Sequence, residues 1–202
     1  MRGDNTRSQI AREAARLMLE GGMRDFQLAK RKAASRLGVF DRGEMPTNLE
    51  IEEAMSDYQR LFRADSQPLK LAELRRSAVN AMEFLAEFEP RLVGSVLSGT
   101  ADEHSVVELH LYSDAPEEVG LYLDAKGIPH ELGEKRLRIT PDETRLYPAF
   151  GFFAGDSPIE LVVLPWRMHR RPPISPVTGK AMARAPIDKV RKLLDDEATM
   201  CA

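Results

Sequence analysis

The apolar residues of this chain change their period at Pro90, and no single class of secondary structure satisfies both halves. Upstream, Ile10, Ala14, Leu17 and Met18 recur at helical spacing until Gly21-Gly22, and Phe26, Ala29, Ala33 and Leu37 do so until Gly38. Thr47 and Glu50 stand three apart as a capping box, ahead of a stripe made by Ile51, Ala54, Met55, Tyr58 and Phe62. A fourth stripe begins near Ser66, tolerates Pro68 in its first turn and runs from Leu71 to Phe88. Downstream, Val107, Leu109 and Leu111 alternate with Glu108, His110 and Tyr112, the two-residue repeat of a strand with one apolar face.

The expected fold class is therefore α+β. Residues 1–89 read as an N-terminal helical bundle of four helices, 90–166 as a mixed sheet with packed helices, and 167–202 as a Pro/Arg-rich segment ending in a helix. Within the sheet half, Ser113, Asp114 and Pro116 start a helix that Gly127 ends. "RLRIT", "LYPAFGFFAG" and "PIELVVLP" supply further strands, with turns expected at Gly133-Glu134 and Gly155-Asp156.

With 43% hydrophobic and 30% charged residues, the chain has enough apolar mass for a packed core and too much for disorder. Its only cysteine, Cys201, excludes an internal disulfide framework and a cysteine-based zinc site. No stretch approaches the ~18 apolar residues of a membrane span, and the amino terminus lacks the apolar run of a secretory signal. A cytoplasmic protein with no membrane partner is the expectation. The net charge of -3 conceals a basic segment between Arg167 and Lys192, where Asp188 is the one acid, so this region is a candidate for meeting a polyanion.

The stretch "GSVLSGTADEHSVVELHL", Gly94 to Leu111, combines a Gly-Ser turn, a second glycine at Gly99, a polar loop with Ser105 and then a strand. Such a turn brings backbone N–H groups close to an anion, and carboxylates at alternate strand positions point the same way. These residues resemble the first motif of the polymerase-β-type nucleotidyltransferase superfamily. "PIELVVLP" resembles that family's later strand, which places a third carboxylate at Glu160. The whole chain is similar to small bacterial proteins described only as nucleotidyltransferase-like.

The resemblance implies binding of a nucleoside triphosphate at Gly94, Ser95, Gly99 and Ser105, with Mg²⁺ or Mn²⁺, and transfer of a nucleotidyl group to an acceptor, protein or nucleic acid, that the sequence does not name. Glu108, Glu160 and His110 are then the catalytic and metal-binding candidates, the imidazole favouring Mn²⁺ or Zn²⁺, and Arg170 and Arg171 the candidates for neutralising phosphate charge. One departure matters. Where the family has its first metal-binding carboxylate this chain has Val106, which offers no oxygen, so an impaired transferase and a catalytically silent nucleotide-binding or interaction module both remain readings. Nucleic-acid binding through the basic carboxy-terminal segment is a third.

Overall fold

The structure is a computed structural model and describes residues 2–39, 45–62 and 66–200; Cys201 lies outside them. Seven α-helices and one five-stranded sheet are formed among the described residues. The chain divides into two compact units. The first comprises residues 1–67 with 102–104 and 176–178, and the second comprises the remainder.

The first unit holds α1 (Arg2–Gly21), α2 (Phe26–Arg36) and α3 (Asn48–Phe62). Ile10, Ala14, Ala29, Ala33 and Ile51 are fully buried between these helices. Small alanines at helical spacing let the axes approach closely, while Leu37 and Phe62, at the ends of their expected stripes, are exposed. The capping box forms as the sequence predicts: Thr47 Oγ1 accepts from Glu50 N at 3.2 Å, and the Glu50 carboxylate accepts from Thr47 N at 2.6 Å. Arg7 of α1 also donates to that carboxylate at 2.7 Å.

The Arg7 hydrogen bond holds the Glu50 carboxyl down at about 2; partial burial opposes this and the Thr47 groups assist. A depressed carboxyl stabilises the fold above its unfolded value, 4.5, and that contribution is lost as pH falls towards 2. Glu50→Gln is therefore expected to lower helical stability at neutral pH and to flatten its decline below about pH 4.5, read by circular dichroism across the acid range. An unchanged acid limb removes this role from Glu50.

The second unit begins with α4 (Gln67–Phe84), so the fourth helix of the expected bundle sits with the sheet. The reason is its apolar face: Leu74, Ala78 and Met82 share one core with Val107, Leu109, Leu111 and Leu161. A single 3-10 turn at Ala86–Phe88 ends the helical run before Pro90. Then follow β1 (Arg91–Val93), α5 (Gly94–Ser98), β2 (Val107–Tyr112), α6 (Glu117–Ala125), β3 (Glu131–Arg138), β4 (Thr144–Ala154), β5 (Ser157–Leu164) and α7 (Ile187–Met200).

The strand order is β1-β2-β5-β4-β3. β2 and β5 run parallel, and the other neighbours are antiparallel, so the sheet is mixed as expected. One sheet face, with Val107, Leu109, Leu111, Leu161 and Val163, is covered by α4, α6 and α7 through residues such as Leu74, Leu123 and Val190. The alternate side chains of these strands leave the sheet on the opposite face. It is apolar where Tyr112, Tyr147, Val162, Leu164 and Met168 cluster, and charged nearer the beginning of β2.

One expectation is corrected. Gly133-Glu134 is no turn: both residues lie inside β3 and pair with Ala149 and Pro148. β3 is an edge strand with most side chains in solvent, so it carries no alternating apolar signal. The reversal falls instead at Thr140 to Glu143, closed by Ile139 N donating to Glu143 O at 2.8 Å. The Pro/Arg-rich segment, for its part, is stitched to the sheet. Leu92 and Ala185 exchange backbone hydrogen bonds of 2.9 Å in both directions, and Ile174 N donates to Arg138 O at 2.7 Å at the other edge.

Candidate functional site

Gly94 turns the chain from β1 into α5 with φ of +72°, a conformation that penalises any Cβ. A neighbour also crowds the position. A Cβ at this position stands 3.3 Å from Glu108 Oε1 and 3.5 Å from Glu108 Cδ, so the carboxylate lies directly against the turn. The five-residue helix that follows is too short to supply much dipole. Gly99 ends the helix at φ of +90° and donates to Ser95 O at 2.9 Å. The spacing of the two glycines thus corresponds to one turn-helix-cap unit.

That unit is held from behind by a residue the sequence reading passed over. Arg75 of α4 is 5% exposed and donates from Nε to Val96 O at 3.0 Å, with a second, longer contact to Leu97 O at 3.4 Å. Its guanidinium satisfies carbonyls that a helix C-terminus leaves without intrahelical donors. A buried arginine next to Leu74 looks in sequence like any helix charge, and nothing in its spacing marks it.

Glu108 and Glu160 face each other. They are Cα partners in the parallel β2–β5 pair, so their side chains leave the sheet on the same side from strands about 4.8 Å apart. Both are about one-third exposed. Between them lies the ammonium of Lys135, which reaches in from β3, hydrogen-bonds Glu160 and approaches Glu108 Oε2 at 3.4 Å. Burial drives the lysine pKa down, but the charges and hydrogen bonds of the two glutamates outweigh it and the net shift is upward. The ammonium therefore stays charged throughout the neutral range.

His110 is on the same face as Glu108, one alternate position further along β2, and is 1% exposed. Its Nδ1 is buried without a hydrogen-bond partner among the described residues. Burial, reinforced by the positive charges of Arg184 and Lys135, pushes its pKa down to about 3, so the ring is neutral at physiological pH. In the β1–β2 register it stands opposite Arg91, whose guanidinium donates to His169 Nε2 at 2.9 Å. Further along the strand, Arg184 bonds the Tyr112 hydroxyl and the carbonyls of Met168 and His169. His169 packs edge-on against Tyr112 with ring centres 4.8 Å apart.

The structure thus brings Gly94, Glu108, Glu160 and Lys135 together, with His110 beside them on the same face. Ser105 lies half-buried in the loop before β2. Arg170 and Arg171 are exposed in the bend after the 3-10 turn at Trp166–His169, whereas Met168, His169 and Arg184 make contacts on the sheet face.

A divalent ion does not fit these residues as they stand. Val106 supplies no oxygen, the two carboxylates are already shared by an ammonium, and among the described residues no group of three His, Cys, Asp or Glu side chains is arranged to hold a metal. No described helix is long and apolar enough to cross a membrane. Comparison with known proteins finds no family model and no curated protein that matches the chain.

Gly94→Ala is expected to cost about 1–2 kcal/mol through the left-handed backbone alone, before any displacement of Glu108. Urea unfolding of the two proteins measures it. Equal stability means that the turn relaxes to another conformation.

Proposed function

We propose that this protein is a nucleotide-binding module on a nucleotidyltransferase-like core, in which transfer of the nucleotidyl group is suppressed. More particularly, it takes the phosphates of a nucleoside triphosphate at the Gly94-Ser95 turn, on the face that carries Glu108 and Glu160. One observation carries the reading: two strand carboxylates in register beside a Gly-Ser corner, bridged by a lysine. The corner, the short helix, the Gly99 cap and the pair of glutamates support the nucleotidyltransferase-like layout. Val106 and Lys135 support the loss of transfer, because metal-assisted displacement needs carboxylate oxygens free to clamp both attacking and leaving groups.

The chain's own groups in this reading have separate tasks. Backbone N–H groups and the Ser95 hydroxyl hold phosphate oxygens, and Arg170 and Arg171 add positive charge from the neighbouring segment. His110, neutral and buried, fixes the floor of the face between the lysine and Arg184. An acceptor, protein or nucleic acid, belongs only to an active transferase. The basic carboxy-terminal segment is a weaker basis for nucleic-acid binding, since Arg184 is spent on Tyr112 and backbone carbonyls and Arg191 on Glu83 at 2.6 Å.

Calorimetric titration with nucleoside triphosphates, with and without Mg²⁺ or Mn²⁺, tests the reading alongside incubation with labelled nucleotide. Binding that weakens in Gly94→Ala, with no labelled product, supports it. Product that accumulates in the wild type and disappears in Glu108→Ala replaces it with an active transferase. Absence of nucleotide binding under all conditions removes both.

A further inference from the structure

We propose that Lys135 is a tethered cation occupying the Glu108–Glu160 site, and that it closes this site to divalent ions. The inference rests on the reading above only in taking this face as the functional one.

Two carboxylates directly opposite on neighbouring strands repel each other and require a positive charge between them. The chain supplies that charge from an unexpected direction. Lys135 starts on the edge strand β3, and β4 lies between it and Glu160. On this face Lys135 stands opposite Tyr147 of β4, and towards Glu160 the strand presents Ala149 and Gly151, a methyl and a hydrogen; a Cβ added at Gly151 meets nothing within 4 Å. The lysine stem therefore has an open path over the sheet.

An ammonium tied to the same chain competes at a high effective concentration, in the millimolar range or above for a short tether, and loses no translational freedom on binding. A divalent ion must displace it, shed water and manage without a third carboxylate at residue 106. The two glutamates use two of the three donors of the ammonium, so the cation of this site is covalently supplied.

Removing the lysine exposes what it covers. Lys135→Met leaves the carboxylates of Glu108 and Glu160 side by side without their counter-charge, an oxygen pair open to Mn²⁺. The experiment is Mn²⁺ titration of the full chain without nucleotide, with free Mn²⁺ read by electron paramagnetic resonance and folding checked by circular dichroism. The expected result is a site in Lys135→Met at least about tenfold tighter than anything in the wild type, abolished again in Lys135→Met/Glu160→Gln. A folded Lys135→Met with no gain overturns the proposal, and so does a wild type that binds Mn²⁺ equally well.

If the variant does not fold, the wild type decides alone. Mn²⁺ that leaves the amide resonances of Glu108 and Glu160 sharp at stoichiometric ratios supports the tethered cation, whereas selective broadening of those amides overturns it. Because no nucleotide enters these measurements, the proposal and the nucleotide-binding reading fail separately.

Discussion

Arg75→Leu is expected to destabilise the sheet unit by about 2–4 kcal/mol, because buried carbonyls lose charged donors and each such hydrogen bond contributes roughly 1.5–3 kcal/mol. The guanidinium is 5% exposed and bonds the carbonyls of Val96 and Leu97, so water cannot easily replace it. The consequence extends to the candidate site. α5 spans only five residues, and when its last turn loosens Gly94 and Ser95 lose their geometry although neither has been changed. Arg75→Lys keeps the charge but lacks the planar fork, and an intermediate loss is expected. Chemical denaturation gives the stability, and nucleotide titration of the folded fraction gives the effect on the turn. A Leu variant as stable as the wild type excludes Arg75 as the support of α5.

His110→Leu is expected to remove a pH dependence. The folded imidazole is held neutral down to about 3 by burial and by the nearby charges of Arg184 and Lys135, whereas the unfolded chain binds its proton near 6.5. Below 6.5 the unfolded state therefore takes up a proton that the folded state refuses, and stability falls by up to about 1.4 kcal/mol per pH unit. Above about 7.5 the term vanishes. Every other titratable group is common to both proteins, so the difference between them from pH 6.5 down to about 5 isolates the histidine. Thermal melts of both proteins there should diverge as pH falls, the wild type losing stability faster. Parallel curves would mean that the ring accepts a proton in place or is hydrated. Near neutral pH the leucine is expected to cost little, since the Nδ1 it removes is buried without a partner.

These residues also show what the sequence could and could not disclose. The capping box at Thr47 and Glu50 was readable because both partners sit on one local turn, and the buried stripe of β2 because its period is two. Gly94, Gly99, Glu108 and Glu160 were readable as a set because resemblance supplied their spacing, and parallel register then put the two glutamates side by side. Lys135 was not readable: its partnership depends on how the β3–β4 hairpin pairs, and Gly133-Glu134 on the same strand imitates a turn. Arg75 was hidden for a different reason. Helical periodicity separates apolar from polar residues but does not reveal that a polar one is buried against another element's carbonyls. The pairing of Leu92 with Ala185 was concealed by composition, since proline argues against regular structure yet leaves neighbouring residues able to bridge.

The strand order carries a temporal consequence. β5 is the last strand the ribosome makes, yet it occupies the middle of the sheet, between β2 and β4. At roughly 5–20 residues per second, β2 and the finished hairpin wait seconds for it, each with an unpaired apolar edge. Its insertion joins them and, in the same event, sets Glu160 beside Glu108, so nascent chains are expected to be most prone to aggregate in that interval and to acquire the acidic pair only at its close.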